Sequence, residues 1–159
     1  MNNLFTTLRS FFLLIILSIT LGVGYATFSL REMNFEARGF VNITMLGLFA
    51  DWNNSDFLTH TSHELRKNMT DRQLQEMNEV FARLRKLLNY HGAYGGLFRS
   101  RRNWWYINPH YKVHASFQGG YFAATITLIK QQGKWAIGRI EYQYRFFPNE
   151  RHSGSLKLA

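Results

Sequence analysis

The sequence contains no cysteine, which removes a disulfide framework, a cysteine zinc site and thiol catalysis together. Acidic residues are scarce, 10 against 19 lysines and arginines, for a formal charge of +9. Such a surface attracts anionic lipid headgroups, acidic proteins or nucleic acid, and the total alone does not choose among them. Charge is also missing from one particular place. No charged side chain occurs between Arg9 and Arg31. What remains is a chain of 159 residues, 46% apolar and 16% aromatic. That composition suits one packed core and argues against disorder.

The uncharged run 11–30 reads FFLLIILSITLGVGYATFSL. At 1.5 Å per helical residue it spans about 30 Å, the thickness of a bilayer core. Arg9 and the amino terminus precede it, while Arg31, Glu32, Glu36 and Arg38 follow and cancel. The positive-inside rule therefore favours a cytoplasmic N-terminus and a body outside. A cleaved signal peptide is the competing reading, with Gly24-Tyr25-Ala26 as its cut site. Against it, the apolar run continues through Thr27-Phe28-Ser29-Leu30. The expected division is a cytoplasmic tail over 1–10, a transmembrane anchor over 11–30, an extracytoplasmic domain over 31–148 and a loose polar tail over 149–159.

Past the anchor, apolar Phe40, Ile43, Gly47 and Ala50 predict one helical face, flanked by Val41, Met45 and Leu48. The membrane helix is expected to run on into this one. The polar cluster 51–56, DWNNSD, predicts a turn, followed by a short helix over 57–65. Thr70 with Gln73 forms a capping box, and Asp71 meets the positive end of the helix dipole. Leu74, Met77, Phe81, Leu84 and Leu88 then repeat at three and four, predicting a helix that ends near Tyr90-His91-Gly92.

From about Arg99 the period drops from 3.6 to 2. A short strand is expected over 104–107, stopped by Asn108-Pro109. Tyr111, Val113, Ala115 and Phe117 alternate with Lys112, His114, Ser116 and Gln118, a half-buried strand. Gly119-Gly120 predicts a tight hairpin turn, and Phe122, Ala124, Ile126 and Leu128 line one face of the return strand. A second turn is expected at Gln131-Gln132-Gly133-Lys134. In the last strand, 135–146, the alternation changes parity at Gly138-Arg139, which predicts a bulge. The fold class is α+β: an N-terminal transmembrane helix, then helices packed on a curved antiparallel β-meander.

Helices followed by such a meander, with the ending GGYFAATITLIKQQGKWAIGRIEYQ, resemble small membrane-anchored NTF2-like or cystatin-like proteins of the bacterial envelope. The resemblance implies a cone-shaped α+β roll. It also implies one of two occupations: an enzyme with a pocket inside the cone, or an assembly subunit with a short cytoplasmic tail, one membrane helix and a periplasmic domain. The layout is similar to the second group, on the bacterial inner membrane with the C-terminal domain in the periplasm. The acid–base pairs of the first group find no residue-by-residue match.

Three sets of residues are candidates for chemistry or contact. His60 and His63, in THTSHE, sit three apart and would share a helical face as metal ligands, yet no third ligand completes a set. Asp51, His114 and Tyr142 form a conceivable acid–base constellation, with Asp56 and Tyr94 near the same cavity. Arg99, Arg101, Arg102, Trp104, Trp105 and Tyr106, in RSRRNWWY, suit an interface, because arginine and aromatic rings favour interface cores and headgroup depth. There is no Gly-rich phosphate loop, serine elbow or cofactor motif, so no cofactor is expected. The functional expectation is a non-catalytic accessory or assembly subunit of an inner-membrane complex. Its partners would be integral membrane proteins and the bilayer, with anionic headgroups as a further contact and no nucleic acid. The alternative is a pocket-containing enzyme or a small apolar-ligand binder.

Overall fold

A computed structural model describes residues 2–99, 107–148 and 153–158, with side chains over 14–25, 28–97 and 109–148. The chain divides into two units, 1–35 and 36–159.

The first unit is helical, and belongs to the long helix α1, Asn2–Ala50. Its large apolar side chains face outward all round: Leu14, Ile16, Leu21, Val23 and Phe28 are each more than half exposed. Two of its hydroxyls are satisfied locally. Ser18 Oγ donates to the Leu14 carbonyl at 2.9 Å, and Thr20 Oγ1 donates to the carbonyls of Ile16 and Leu17. A helical backbone bonded internally, with these two hydroxyls bonded to it and apolar side chains exposed around them, matches the demands of hydrocarbon. The apolar window within Leu14–Ala50 is long enough to cross a membrane and is 0% buried by protein.

In the second unit, α1 buries Ala37, Val41, Thr44, Met45, Leu48 and Phe49. The face expected through Ile43, Gly47 and Ala50 is instead exposed, with Ile43 78% so. The rotation buries Val41, Met45, Leu48 and Phe49 in place of Ile43, Gly47 and Ala50, which removes more apolar area from water. Asn53 then accepts from the Ser55 amide at 2.8 Å and caps α2, Asn54–Thr59; Ser62 accepts from the Leu65 amide and caps α3, His63–Asn68. The single helix expected over 57–65 is therefore two. Between them the backbone is drawn into the sheet, where Ser62 N donates to Ile137 O and Ile137 N donates to His60 O.

The capping box at Thr70 and Gln73 starts α4, Asp71–Leu84, as predicted. The helix stops earlier than its apolar stripe. Arg85 takes φ 64, and Leu88, read as the next turn of the stripe, is 61% exposed on strand β1, Leu87–Arg99. The spacing from Leu84 to Leu88 mimics a helical step, but from Leu87 the chain pairs as a strand with the segment Ile107–Phe117.

β1 opens an antiparallel meander in the order β1-β2-β3-β4-β5, with β2 Ile107–Phe117, β3 Gly120–Gln131, β4 Lys134–Phe146 and β5 Ser153–Leu158. Asn108-Pro109 lies within β2 rather than stopping it. The β2–β3 register begins at His110, so at Pro109 the strand pairs with β1 alone and the missing N–H costs no second ladder bond. The first hairpin turns through Gln118-Gly119, one residue before the expected pair. A Cβ at Gly119 would lie 2.2 Å from the Arg83 carbonyl, so only glycine lets this turn meet the end of α4. Gln132 and Gly133 both take positive φ, 50 and 79, the backbone of a tight two-residue hairpin turn. Gly138 is the extra residue of a bulge, between Thr127↔Arg139 and Leu128↔Ile137, where the parity change placed it. The tail read as loose contains β5, paired with β4 from Arg145↔Ser153 to Ile140↔Leu158.

One sheet face is buried under the helices by Tyr111, Val113, Phe117, Phe122, Ile126 and Leu128 and their neighbours. The free edge of β1 is held by α1. Arg38 donates to Gly95 O at 2.9 Å, while Asn42 Oδ1 accepts from Ala93 N and Tyr90 Oη. These bonds occupy groups that would otherwise template another strand.

Candidate functional site

Aromatic rings pack together between the helices and the sheet. Phe49 stands at the centre, 5.3 Å from Phe122, 5.7 Å from Phe117 and Tyr90, and 6.0 Å from Phe81, ring to ring. Trp52 stacks on Phe81 at 4.2 Å and donates its indole N–H to Asn78 and Asn54. Phe57 is fully buried beside Trp52. Edge-to-face and offset contacts of this kind add to the area the rings bury.

Tyr142 belongs to this interior. It stacks on Phe122 at 5.6 Å, and burial pushes its phenol up to about 12, with Glu76 and then Tyr144 adding to the rise. A phenol so placed stays protonated and packs as an aromatic ring. His114 is exposed on the other side of the sheet. Register shows why: Val113, Ala124 and Tyr142 form one row, and His114, Ala123 and Gln143 form the next, so their side chains alternate faces. Asp51 is exposed just past the end of α1, Asp56 lies on α2, and Tyr94 is 58% exposed on β1. The sequence-level constellation is not brought together.

His60 and His63 also have separate surroundings. His60 Nδ1 lies 2.9 Å from the Asp56 carbonyl oxygen and 3.7 Å from the Asp56 carboxylate, with its ring 6.1 Å from Phe40. His63 begins α3, and its amide donates to Gln131 Oε1. Among the described residues no three His, Asp or Glu side chains gather as a metal site. Arg99 ends β1 with its side chain outside the described residues, as are Arg101, Arg102, Trp104, Trp105 and Tyr106.

The outer face of the sheet carries a concavity that the sequence reading misses. It measures about 350 Å³ and is walled by His91, His114, Tyr121, Gln143 and Arg145, with Ala123 on its floor. Its shape follows from register. Ala123 stands between His114 and Gln143 in one row, a methyl group between two long side chains. His91 reaches the row through a bulge: β1 passes from Tyr90↔Ala115 to Ala93↔Val113, leaving His91 and Gly92, at φ 82, opposite His114. The signal was present as His114 on the polar parity of its strand, but His91 was assigned to a helix end and so could not be paired with it.

Further along this face His110 Nδ1 lies 2.8 Å from Thr127 Oγ1. Burial, and then the Arg139 charge, hold its imidazole below the usual range, with Glu141 opposing.

Comparison with family models, curated proteins and solved structures gives no match to this chain. What it shares with the NTF2-like and cystatin-like shape is the coarse plan of an apolar N-terminal helix followed by helices and an antiparallel sheet.

Proposed function

We propose that this protein is a membrane-anchored, non-catalytic accessory or assembly subunit of a membrane protein complex, whose folded unit makes contacts with other proteins. The observation that supports this reading is the packing of aromatic rings between the helices and the sheet. Phe49, Trp52, Phe81, Phe117 and Phe122 occupy the space where a pocket enzyme or an apolar-ligand carrier of this architecture would hold its substrate. The apolar helix supplies the second half of the argument. Confinement to a bilayer raises the effective concentration of neighbouring membrane proteins, so a weak contact suffices for assembly. In this reading the domain is an NTF2-like relative on the periplasmic side of a bacterial inner membrane. Its segment 99–106, with Arg99, Arg101, Arg102, Trp104, Trp105 and Tyr106, provides a basic and aromatic contact.

A photo-crosslinking amino acid in place of Trp105, irradiated in intact membranes, tests the proposal. The expected product is a discrete adduct with an integral membrane protein. Adducts with lipid alone, or none above those from a control position such as Lys67, would contradict it.

A further inference from the structure

The outer groove has an electrostatic bias that total charge does not explain. The five strands together contain one acidic residue, Glu141, against seven lysines and arginines. Glu141 is itself bridged to Arg139 at 2.9 Å. Among the described residues the groove walls carry no carboxylate, and they set His91, His114 and the Arg145 guanidinium around a floor made by Ala123. Lys112 is exposed one row away, opposite Thr125. At one end Tyr121 and Phe147 meet edge to face at 5.2 Å, 53% and 38% exposed. A volume of about 350 Å³ is at the small end of the range for ligand clefts.

The geometry points to a docking groove for an acidic segment of a partner protein, whose carboxylate sits among His91, His114 and Arg145 while an apolar neighbour rests on Tyr121 and Phe147. Charge complementarity selects the occupant. Arginine holds a carboxylate with charge-assisted hydrogen bonds, imidazole N–H groups donate to the same oxygens, and the walls repel a cation. The exposed ring pair favours a peptide over a free anion, because tyrosine and arginine together are the residues that anchor protein interfaces. The β1 bulge is what completes the site, since it turns His91 toward the row of His114. This inference rests on the proposed role in protein contact and names the chemistry of the contact.

The test uses the full chain in a neutral detergent and a fluorescein-labelled hexaglutamate peptide, with hexaglutamine as control. Saturable one-to-one binding of hexaglutamate is expected, and none of hexaglutamine. Arg145→Glu should weaken it at least tenfold. Lys67→Glu, the same charge change on α3, should alter it less than twofold. Ala123→Leu fills the floor without touching charge and should likewise weaken binding at least tenfold, with the circular dichroism spectrum unchanged to show that the fold is intact. Equal losses from Arg145→Glu and Lys67→Glu would reduce the effect to net charge and overturn the proposal. So would tighter, Arg145-dependent binding to vesicles of anionic phospholipid than to the peptide, since the occupant would then be a lipid surface. Should membrane partners crosslink at Trp105 while hexaglutamate fails to bind, the groove assignment falls and the role in assembly stands.

Discussion

Tyr142 shows how one residue changes meaning between sequence and structure. On its strand it is a polar-tipped aromatic at the right parity for an active site; in the fold it is 3% exposed and stacked on Phe122. Its phenol ionises at about 12 when folded and near 10 when unfolded. The stability contributed by keeping it neutral and buried is therefore fully present below pH 10, and is lost as the pH rises through 12. Burial, with Tyr94 second, raises Tyr90 in the same sense, also to about 12. Thermal unfolding followed by near-ultraviolet circular dichroism should show a midpoint that declines between pH 10 and 12, more gently in Tyr142→Phe. Phe81 has a simpler role. It is 6% exposed and touches Trp52, Phe49, Phe117 and Phe122. Phe81→Ala should destabilise the fold by about 3–5 kcal/mol, measured by the same unfolding. His114 and Tyr142 could not be separated from the sequence, because alternation says that two residues lie on opposite faces only once the register between strands is known.

At the level of elements, short-range chemistry was legible and long-range choice was not. The Thr70–Gln73 capping box, the Gln132-Gly133 turn and the Gly138 bulge are local devices, and each was readable within a few residues. The end of α4 was not, because Leu88 continues a helical spacing by coincidence while β1 depends on pairing with β2, some twenty residues on. The same dependence hid β5, whose polar sequence carries no strand signal and whose order comes from β4. The buried face of α1 was misplaced for a different reason: apolar residues surround that helix, and only its partners decide which side is covered. The turn offers a clean test. Gln132 holds a φ of 50 that asparagine adopts more readily. Gln132→Asn should raise the thermal midpoint, whereas Gly133→Val, which puts a β-branched side chain at a φ of 79, should lower it.

At the scale of the whole molecule, the proposed role in assembly rests on two features, the apolar helix and the ring-packed interior of the folded unit. Helix α1 exposes apolar side chains over a length that suits a bilayer, and was the most legible feature of the chain. The full chain should accordingly remain with the membrane through an alkaline carbonate wash and leave it only with detergent; release by the wash would remove the anchor from the proposal. The candidate contact surfaces were legible in part. The run RSRRNWWY announces itself by composition, whereas the outer groove is built from residues on four strands, which only the fold brings side by side.

The most direct test of partnership is the particle mass of the tagged chain after native membranes are extracted into lipid nanodiscs. An assembly subunit predicts a particle heavier than the 18.7 kDa chain by one or more integral membrane proteins in constant ratio. A particle containing this chain alone, or only further copies of it, would contradict that role.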